Sequence, residues 1–162
     1  MKQTLCVSEV MSRPVVVLPP DASVARVFAE AKSKGVHHFP ILDGEKVVGF
    51  VCTCDLIHAQ ADEPVLPLAW HHPASVSPAC TVTDAARLLL MHGVGSLLVM
   101  APGGLRGIVT ADDLREVSPE LASLLEPARC TVCRAGEHLR PGLYGRPICA
   151  YCKAKQARAA AD

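Results

Sequence analysis

Four cysteines in two close pairs, Cys130-x2-Cys133 and Cys149-x2-Cys152, stand fifteen residues apart near the end of this chain. Four soft thiolates at this spacing suit a tetrahedral Zn²⁺, and each two-residue loop curls backbone N–H groups toward sulfur. A four-sulfur set leaves no open coordination position, so the metal would be structural rather than catalytic. Two disulfides or an iron site are the other chemistries open to the same residues. The remaining cysteines (Cys6, Cys52, Cys54 and Cys80) are scattered, and the alternation in Cys52-Thr53-Cys54 predicts a buried Cys52. The chain has no nucleophile elbow, no phosphate-loop Gly-Lys-Ser/Thr and no His-Glu-x-x-His, and Gly93-Val94-Gly95 lacks the third glycine of a dinucleotide loop. These residues predict a protein that is not an enzyme.

The segment that carries the paired cysteines has few apolar side chains for a core: Val132, Leu139, Leu143, Tyr144, Ile148 and Tyr151. It needs a staple, and structural zinc supplies on the order of 10–16 kcal/mol in modules of this size. Charge marks the same segment off. Residues 1–128 carry nine basic and fourteen acidic side chains, whereas residues 129–162 carry seven basic and two acidic, a step from −5 to +5. A boundary near Pro127 follows. A four-thiolate zinc centre carries −2, so Arg134, Arg146 and Lys153 are needed in part to offset the sulfurs. Nucleic acid is therefore possible as a partner of the tail but is not favoured. Over all 162 residues the charge is balanced, 16 basic against 16 acidic, and aromatic content is 4%, which excludes a globally basic nucleic-acid binder and a broad base-stacking platform. Apolar runs such as Ser96–Ala101 are far short of a membrane span, and Met1–Cys6 has no stretch that could act as a secretion signal. The expectation is a soluble, cytoplasmic protein.

The acidic part must fold first, and it repeats itself. A shift of 58 residues superposes Pro20 on Pro78, Ser23 on Thr81, Gly35-Val36 on Gly93-Val94, Gly49 on Gly107 and Asp55-Leu56 on Asp113-Leu114, with no gap between Pro20 and Leu56. Each copy has the same order of elements. Ser23 or Thr81 is an N-cap; helical spacing follows in Val24, Val27, Phe28, Ala31 and in Val82, Ala85, Ala86, Leu89. Gly35 and Gly93 stand where a helix ends in a left-handed residue. Strands are predicted at Phe39–Leu42 and Val47–Val51, and at Leu97–Met100 and Leu105–Val109, with turns at Asp43-Gly44 and Pro102-Gly103-Gly104. A second helix is predicted to begin at Thr53–Leu56 and at Thr110–Leu114. The order β-α-β-β-α defines an α/β (α+β) unit with one open sheet face, and two units would bury those faces against each other. Trp70, His71 and His72, at the join between copies, are expected to close the start of the second unit. Domains are expected at 1–61, 62–126 and 127–162.

Val10-Met11-Ser12-Arg13-Pro14, Gly35-Val36-His37-His38-Phe39-Pro40 and Gly49-Phe50-Val51-Cys52-Thr53-Cys54-Asp55-Leu56 resemble a CBS (cystathionine-β-synthase-type) domain. Gly93-Val94-Gly95-Ser96-Leu97 and Gly107-Ile108-Val109-Thr110-Ala111-Asp112-Asp113-Leu114 resemble a second. The resemblance covers roughly residues 5–120 and implies a Bateman module: a pseudo-twofold pair of repeats, homodimeric, with two clefts that bind adenosyl compounds. It implies that Asp55 and Asp113 hold ribose, because an ionised carboxylate is purely an acceptor and can take both hydroxyls. It implies that Thr110 meets phosphate at the start of the following helix. In the first copy Cys52 takes that hydroxyl position and Thr53 is displaced by one. Adenine, by the same resemblance, lies against Val16, Val17, Val36, His37, His38, Phe39 and Pro40 in one cleft. In the other it lies against Ser75, Val76, Val94, Gly95, Ser96 and Leu97. The boxes carry no Lys or Arg, and Asp112 stands beside the second, so a monophosphate (AMP-like) or an uncharged adenosyl group suits them better than a triphosphate. The Thr-x-x-Asp pattern is equally a helix-capping device.

The tail is similar to a treble-clef finger or zinc ribbon: a knuckle, a hairpin, and a helix over Cys149–Ala160 carrying the second pair. Gly145–Cys152 is loosely similar to GATA-type fingers. The sequence therefore predicts a non-catalytic sensor that binds an adenine nucleotide as ligand and relays it to a protein partner through a structural zinc finger. A regulator touching nucleic acid through the finger, and a scaffold with empty clefts, are the competing readings.

Overall fold

A computed structural model describes residues 5–122, 125, 139–141 and 147–149. A short helix α1 (Val7–Val10) leads into α2 (Val24–Lys34), the hairpin β1 (His38–Asp43) and β2 (Lys46–Cys52), and two single turns at Thr53–Asp55 and Leu66–Leu68. The second copy follows as β3 (Ser75–Val76), α3 (Val82–His92), β4 (Ser96–Ala101), β5 (Gly104–Thr110), α4 (Ala111–Val117) and α5 (Pro119–Ala122). Among the described residues no helix is long and apolar enough to cross a membrane.

The capping chemistry places the helices where the sequence predicts them. Ser23 Oγ accepts the Arg26 N–H at 3.3 Å, and Thr81 Oγ1 accepts that of Asp84 at 3.0 Å. Both helices stop at a left-handed glycine, Gly35 at φ 67° and Gly93 at φ 62°, a conformation that costs a residue with Cβ. Val24 and Val27 are buried on α2, and Val82, Ala85, Ala86 and Leu89 on α3. Phe28 is the exception to the predicted stripe: it is exposed, while its counterpart Ala86 is buried.

Each hairpin is antiparallel and carries one irregularity, between Ile41 and Leu42 in the first copy and between Val99 and Met100 in the second. These are equivalent positions under the 58-residue shift. β3 runs parallel to β4, pairing Val76 with Val99; in the first copy only Leu18 pairs in this way, with Ile41. The predicted leading strand is thus a single bridge in one copy and two residues in the other.

The predicted second helix forms only in the second copy. Thr110 builds a full capping box on α4, its hydroxyl accepting the Asp113 N–H while the Asp113 carboxylate accepts the Thr110 N–H. In the first copy Cys52 stands in that position, its sulfur accepting the Cys54 N–H at 3.4 Å, and the chain makes one 3₁₀ turn before leaving. Here the sulfur takes the N–H two residues on, where Thr110 takes the one three residues on, and Asp55 Oδ2 accepts the Trp70 indole N–H.

The segments that precede the two copies change places. Val7 N–H donates to Cys80 O at 2.8 Å, Val82 N–H donates to Leu5 O at 3.0 Å, and Ser12 exchanges two bonds with Ile108. The same three contacts recur 58 residues on: Val65 N–H to Ala22 O at 2.9 Å, Val24 N–H to Glu63 O at 2.9 Å, and Trp70 paired with Phe50. The N-terminal segment is thus stitched to the second copy and the joining segment to the first, a reciprocal exchange that an approximate twofold axis between the copies requires. Trp70 belongs to the first copy's sheet, not to the start of the second unit. The side chains follow the backbone. Val7 is fully buried among Val82, Leu97, Val109 and Leu114, and Val65 is fully buried among Val24, Val27, Ile41 and Val51. Phe50, Leu98 and Ile108 close the seam between the sheets, with Val15 and Trp70 against them.

In the tail, Leu139–Pro141 (β6) pairs antiparallel with Pro147–Cys149 (β7), which sets Leu139 opposite Cys149. Cys149 therefore ends a strand instead of opening a helix. Cys130, Cys133 and Cys152, and the helix predicted to run to Ala160, lie outside the described residues.

Candidate functional site

In each copy the strand-end box is tied to the segment that follows the helix-ending glycine. Thr53 N–H donates to His37 O at 2.9 Å, and Ala111 N–H donates to Gly95 O at 3.0 Å. These two bonds, again at equivalent positions, bring His37–Pro40 beside Cys52–Asp55 and Gly95–Leu97 beside Thr110–Asp113.

The two carboxylates use their oxygens differently. Asp113 Oδ2 accepts the Thr110 N–H at 2.7 Å and the Thr110 hydroxyl at 2.8 Å, and the Asp113 N–H donates back to Thr110 Oγ1 at 3.3 Å. Oδ1 accepts no hydrogen bond among the described residues, and the side chain is half-buried. Asp113 therefore caps α4 with one oxygen and presents the other. Asp55 has no such hydroxyl at Cys52. Its Oδ2 instead accepts the Trp70 indole N–H at 3.1 Å.

The donors expected to meet phosphate are committed within the chain. The Thr110 hydroxyl proton goes to Asp113, the Ala111 N–H goes to Gly95, and Arg115 pairs with Asp112 and donates to Leu125 O. Among the described residues no Lys or Arg is bonded to Thr110 or Asp113, and the neighbouring Arg115 is paired with Asp112.

Several predicted side chains are core residues. Cys52, Phe39 and Leu97 are fully or almost fully enclosed, Pro40, Thr53, Val76 and Ser96 are buried, and Val16, Val36 and Val94 are half-buried. Val17, His37, Ser75 and Gly95 are exposed. His38 stacks on Phe50 with ring centroids 5.9 Å apart and 13° between planes, and its Nε2 lies 3.7 Å from where a Cβ on Gly95 would stand. It reaches across the seam from one copy to the other.

The sequence reading missed the exchange of leading segments, and with it the two residues that flank the boxes. Met11 lies so close over Gly107 that a Cβ there would stand 2.5 Å from its sulfur, and Ala69 lies over Gly49 in the equivalent place. The 58-residue register extends through Val7 and Val65, Met11 and Ala69, Ser12 and Trp70, but register alone does not say which copy each segment lies on.

Two α/β repeats with exchanged leading segments, each with an acid at a strand-to-turn junction beside the seam, form a paired module of the kind the sequence resembles. The CBS domain family pattern matches residues 7–62 and 66–120, and the chain belongs to this family. Among solved structures it is similar to CBSX2 in complex with AMP, at 25% identity and a TM-score of 0.62, covering 72% of this chain and 98% of that one. The CBS domain pair of protein MJ0100, in complex with 5′-methylthioadenosine and S-adenosyl-L-methionine, has the same fold, with a TM-score of 0.67 at 18% identity, covering 71% of this chain and 96% of that one. An uncharacterized 33.4 kDa protein in the ribosomal RNA operon of Thermofilum pendens is 29% identical over 128 residues. The match takes in 67% of this chain and 42% of that protein, so the chain spans less than half the length of this curated relative.

Proposed function

We propose that this chain is a non-catalytic regulatory module that binds an adenosyl compound at the Thr110–Asp113 box and relays its occupancy through the C-terminal tail. The observation that carries the reading is the division of labour at Asp113: Oδ2 is locked into the α4 cap and Oδ1 is left to accept a ribose hydroxyl. Because the cap holds the carboxylate in place, ordering it for a ligand costs little further entropy. The AMP bound by CBSX2 supports the ligand class. With the Thr110 hydroxyl and the Thr110, Ala111 and Asp113 N–H groups committed, and no cation bonded to the box among the described residues, the ligand in this reading carries at most one phosphate: AMP or an uncharged adenosyl group rather than ATP.

Ligand binding between the repeats favours one arrangement of the two copies, and linkage carries that preference to whatever the tail engages. The tail in this reading is a structural zinc module held by Cys130, Cys133, Cys149 and Cys152, a reading supported by the spacing of the pairs and by the β6–β7 ladder between them. Homodimerisation and a protein partner belong to the same proposal.

The test is thermal melting of the full chain against AMP, ADP, ATP, NAD, 5′-methylthioadenosine and S-adenosylmethionine, with Asp113→Asn alongside. A ligand at 100 times its Kd stabilises by about 2.7 kcal/mol, which reads as several degrees. The expected result is a shift with AMP or an uncharged adenosyl compound, much smaller with ATP and abolished by Asp113→Asn. No shift with any of them would leave a scaffold with empty clefts. The +5 charge of residues 129–162 keeps nucleic acid as the second reading; strongly salt-dependent duplex binding, lost when residues 128–162 are removed, would favour it.

A further inference from the structure

We propose that Trp70 makes the two clefts unequal: its indole closes the first on Asp55, while Ser12, at the equivalent position, leaves the second open, so that each chain takes one adenosyl ligand, at Asp113. The inference rests on the adenosyl reading above and names which of its two boxes works.

The backbone makes the comparison like for like. Trp70 pairs with Phe50 through Trp70 N–H to Phe50 O at 2.8 Å and Phe50 N–H to Trp70 O at 2.9 Å. Ser12 pairs with Ile108 in the same way, at 2.8 and 3.2 Å. Phe50 stands five residues before Asp55, and Ile108 five before Asp113. Both leading segments therefore cross the other copy's sheet at one level, next to the acid. What differs is the side chain. The indole packs against the seam of Phe50, Leu98 and Ile108 and extends its N–H to Asp55 Oδ2 at 3.1 Å. A serine hydroxymethyl is too short for either role, and Ser12 is exposed. The second difference reinforces the first. Thr110 holds Asp113 through Oδ2, whereas Cys52 offers no hydroxyl and Asp55 Oδ2 accepts the indole N–H.

A ribose hydroxyl arriving at Asp55 must displace a hydrogen bond to a charged acceptor and move a ring out of a packed seam. At Asp113 Oδ1 there is no hydrogen bond from the described residues to displace. Hydrogen bonds to charged groups are worth enough that the first box should bind about tenfold or more weakly than the second.

Calorimetric titration of the full chain with AMP and with 5′-methylthioadenosine tests this. The expected stoichiometry for the wild type is one per chain, lost in Asp113→Asn and kept in Asp55→Asn. Trp70→Ser should raise it to two, and Trp70→Ser with Asp55→Asn should return it to one. Should Trp70→Ser fail to fold by circular dichroism, Trp70→Phe removes the N–H and leaves a smaller ring at the seam, and is expected to show a second site weaker than the first. Trp70 is the only tryptophan in the chain, so its emission reports the contact directly. Asp55→Asn should shift the emission, and ligand bound at Asp113 should leave it unchanged. Two equal sites in the wild type, binding lost in Asp55→Asn but not in Asp113→Asn, or one site in both Trp70 variants would overturn the inference while leaving the adenosyl reading intact. No binding to the wild type or to any variant would take down the adenosyl reading and this inference together.

Discussion

Val7 sits seventy-five residues before Val82 and further still from Leu97, Val109 and Leu114, with which it packs, and truncating it tests the crossed architecture directly. The side chain is fully buried beside Val82, Leu97, Val109 and Leu114 in the second copy's core, and its N–H is bonded to Cys80 O at 2.8 Å. Val7→Ala removes two methyl groups, a transfer loss of about 1.6 kcal/mol at 0.8 per methylene-sized group. The unfilled space adds a cavity term, so about 2–3 kcal/mol in all is expected. For a chain of this size that lowers Tm by roughly 5–10 °C. Val65→Ala should cost the same for the first copy, since Val65 is equally enclosed beside Val24, Val27 and Ile41. Urea unfolding gives the free energies, and a double-mutant cycle gives the address. Val7→Ala should couple by at least 0.5 kcal/mol (roughly) with Val82→Ala and add independently with Val24→Ala, because only the first pair shares a core. Coupling with Val24 instead, or a Val7→Ala loss below about 0.5 kcal/mol, typical of a surface site, would refute the exchange of segments.

Three further outcomes follow from local geometry. Gly107→Ala sets a Cβ 2.5 Å from the Met11 sulfur and should destabilise by about 1–3 kcal/mol, with the loss relieved in Met11→Ala, as read by thermal melting. Thr110→Ala breaks the capping box on α4 and should cost about 1 kcal/mol; it should also weaken AMP binding, since it frees the carboxylate that the cap holds, whereas Thr81→Ala should cost similar stability without touching affinity. Burial, with smaller contributions from Asp84 and Cys6, raises the pKa of the Cys80 thiol, so less of it is thiolate at pH 8. Its alkylation by iodoacetamide should therefore be slower than that of free cysteine and should rise with pH to higher values, followed residue by residue by mass spectrometry; a rate equal to the free thiol would contradict the burial.

The repeat itself was legible without coordinates, because the signals that carry it are local. Serine or threonine before Val24 and Val82 starts each helix, glycine at 35 and 93 ends it, and alternating apolar residues around Asp43-Gly44 and Pro102-Gly103-Gly104 make the hairpins. The spacing of 58 residues then fixed where the two acids fall relative to those elements. Helical propensity did not decide the end of the first copy: Thr53–Leu56 resembles its counterpart in pattern, yet Cys52 caps through the N–H two residues on where Thr110 caps through the one three residues on, and only a turn forms. The stripe on α2 was overestimated for the same kind of reason, since Phe28 keeps the spacing but not the size of Ala86.

What the sequence determined by itself was the identity of the paired units, the order of their elements and the chemistry available at each strand end. Tertiary structure alone decided which leading segment lies on which copy. A buried valine satisfies either core equally well, so hydrophobic pattern cannot say that Val7 crosses to the second sheet and Val65 returns to the first. That choice in turn set Trp70 against Asp55 and Ser12 near Asp113. Two boxes nearly alike in the chain thus became, once folded, one acid held by an indole and one with an oxygen to offer.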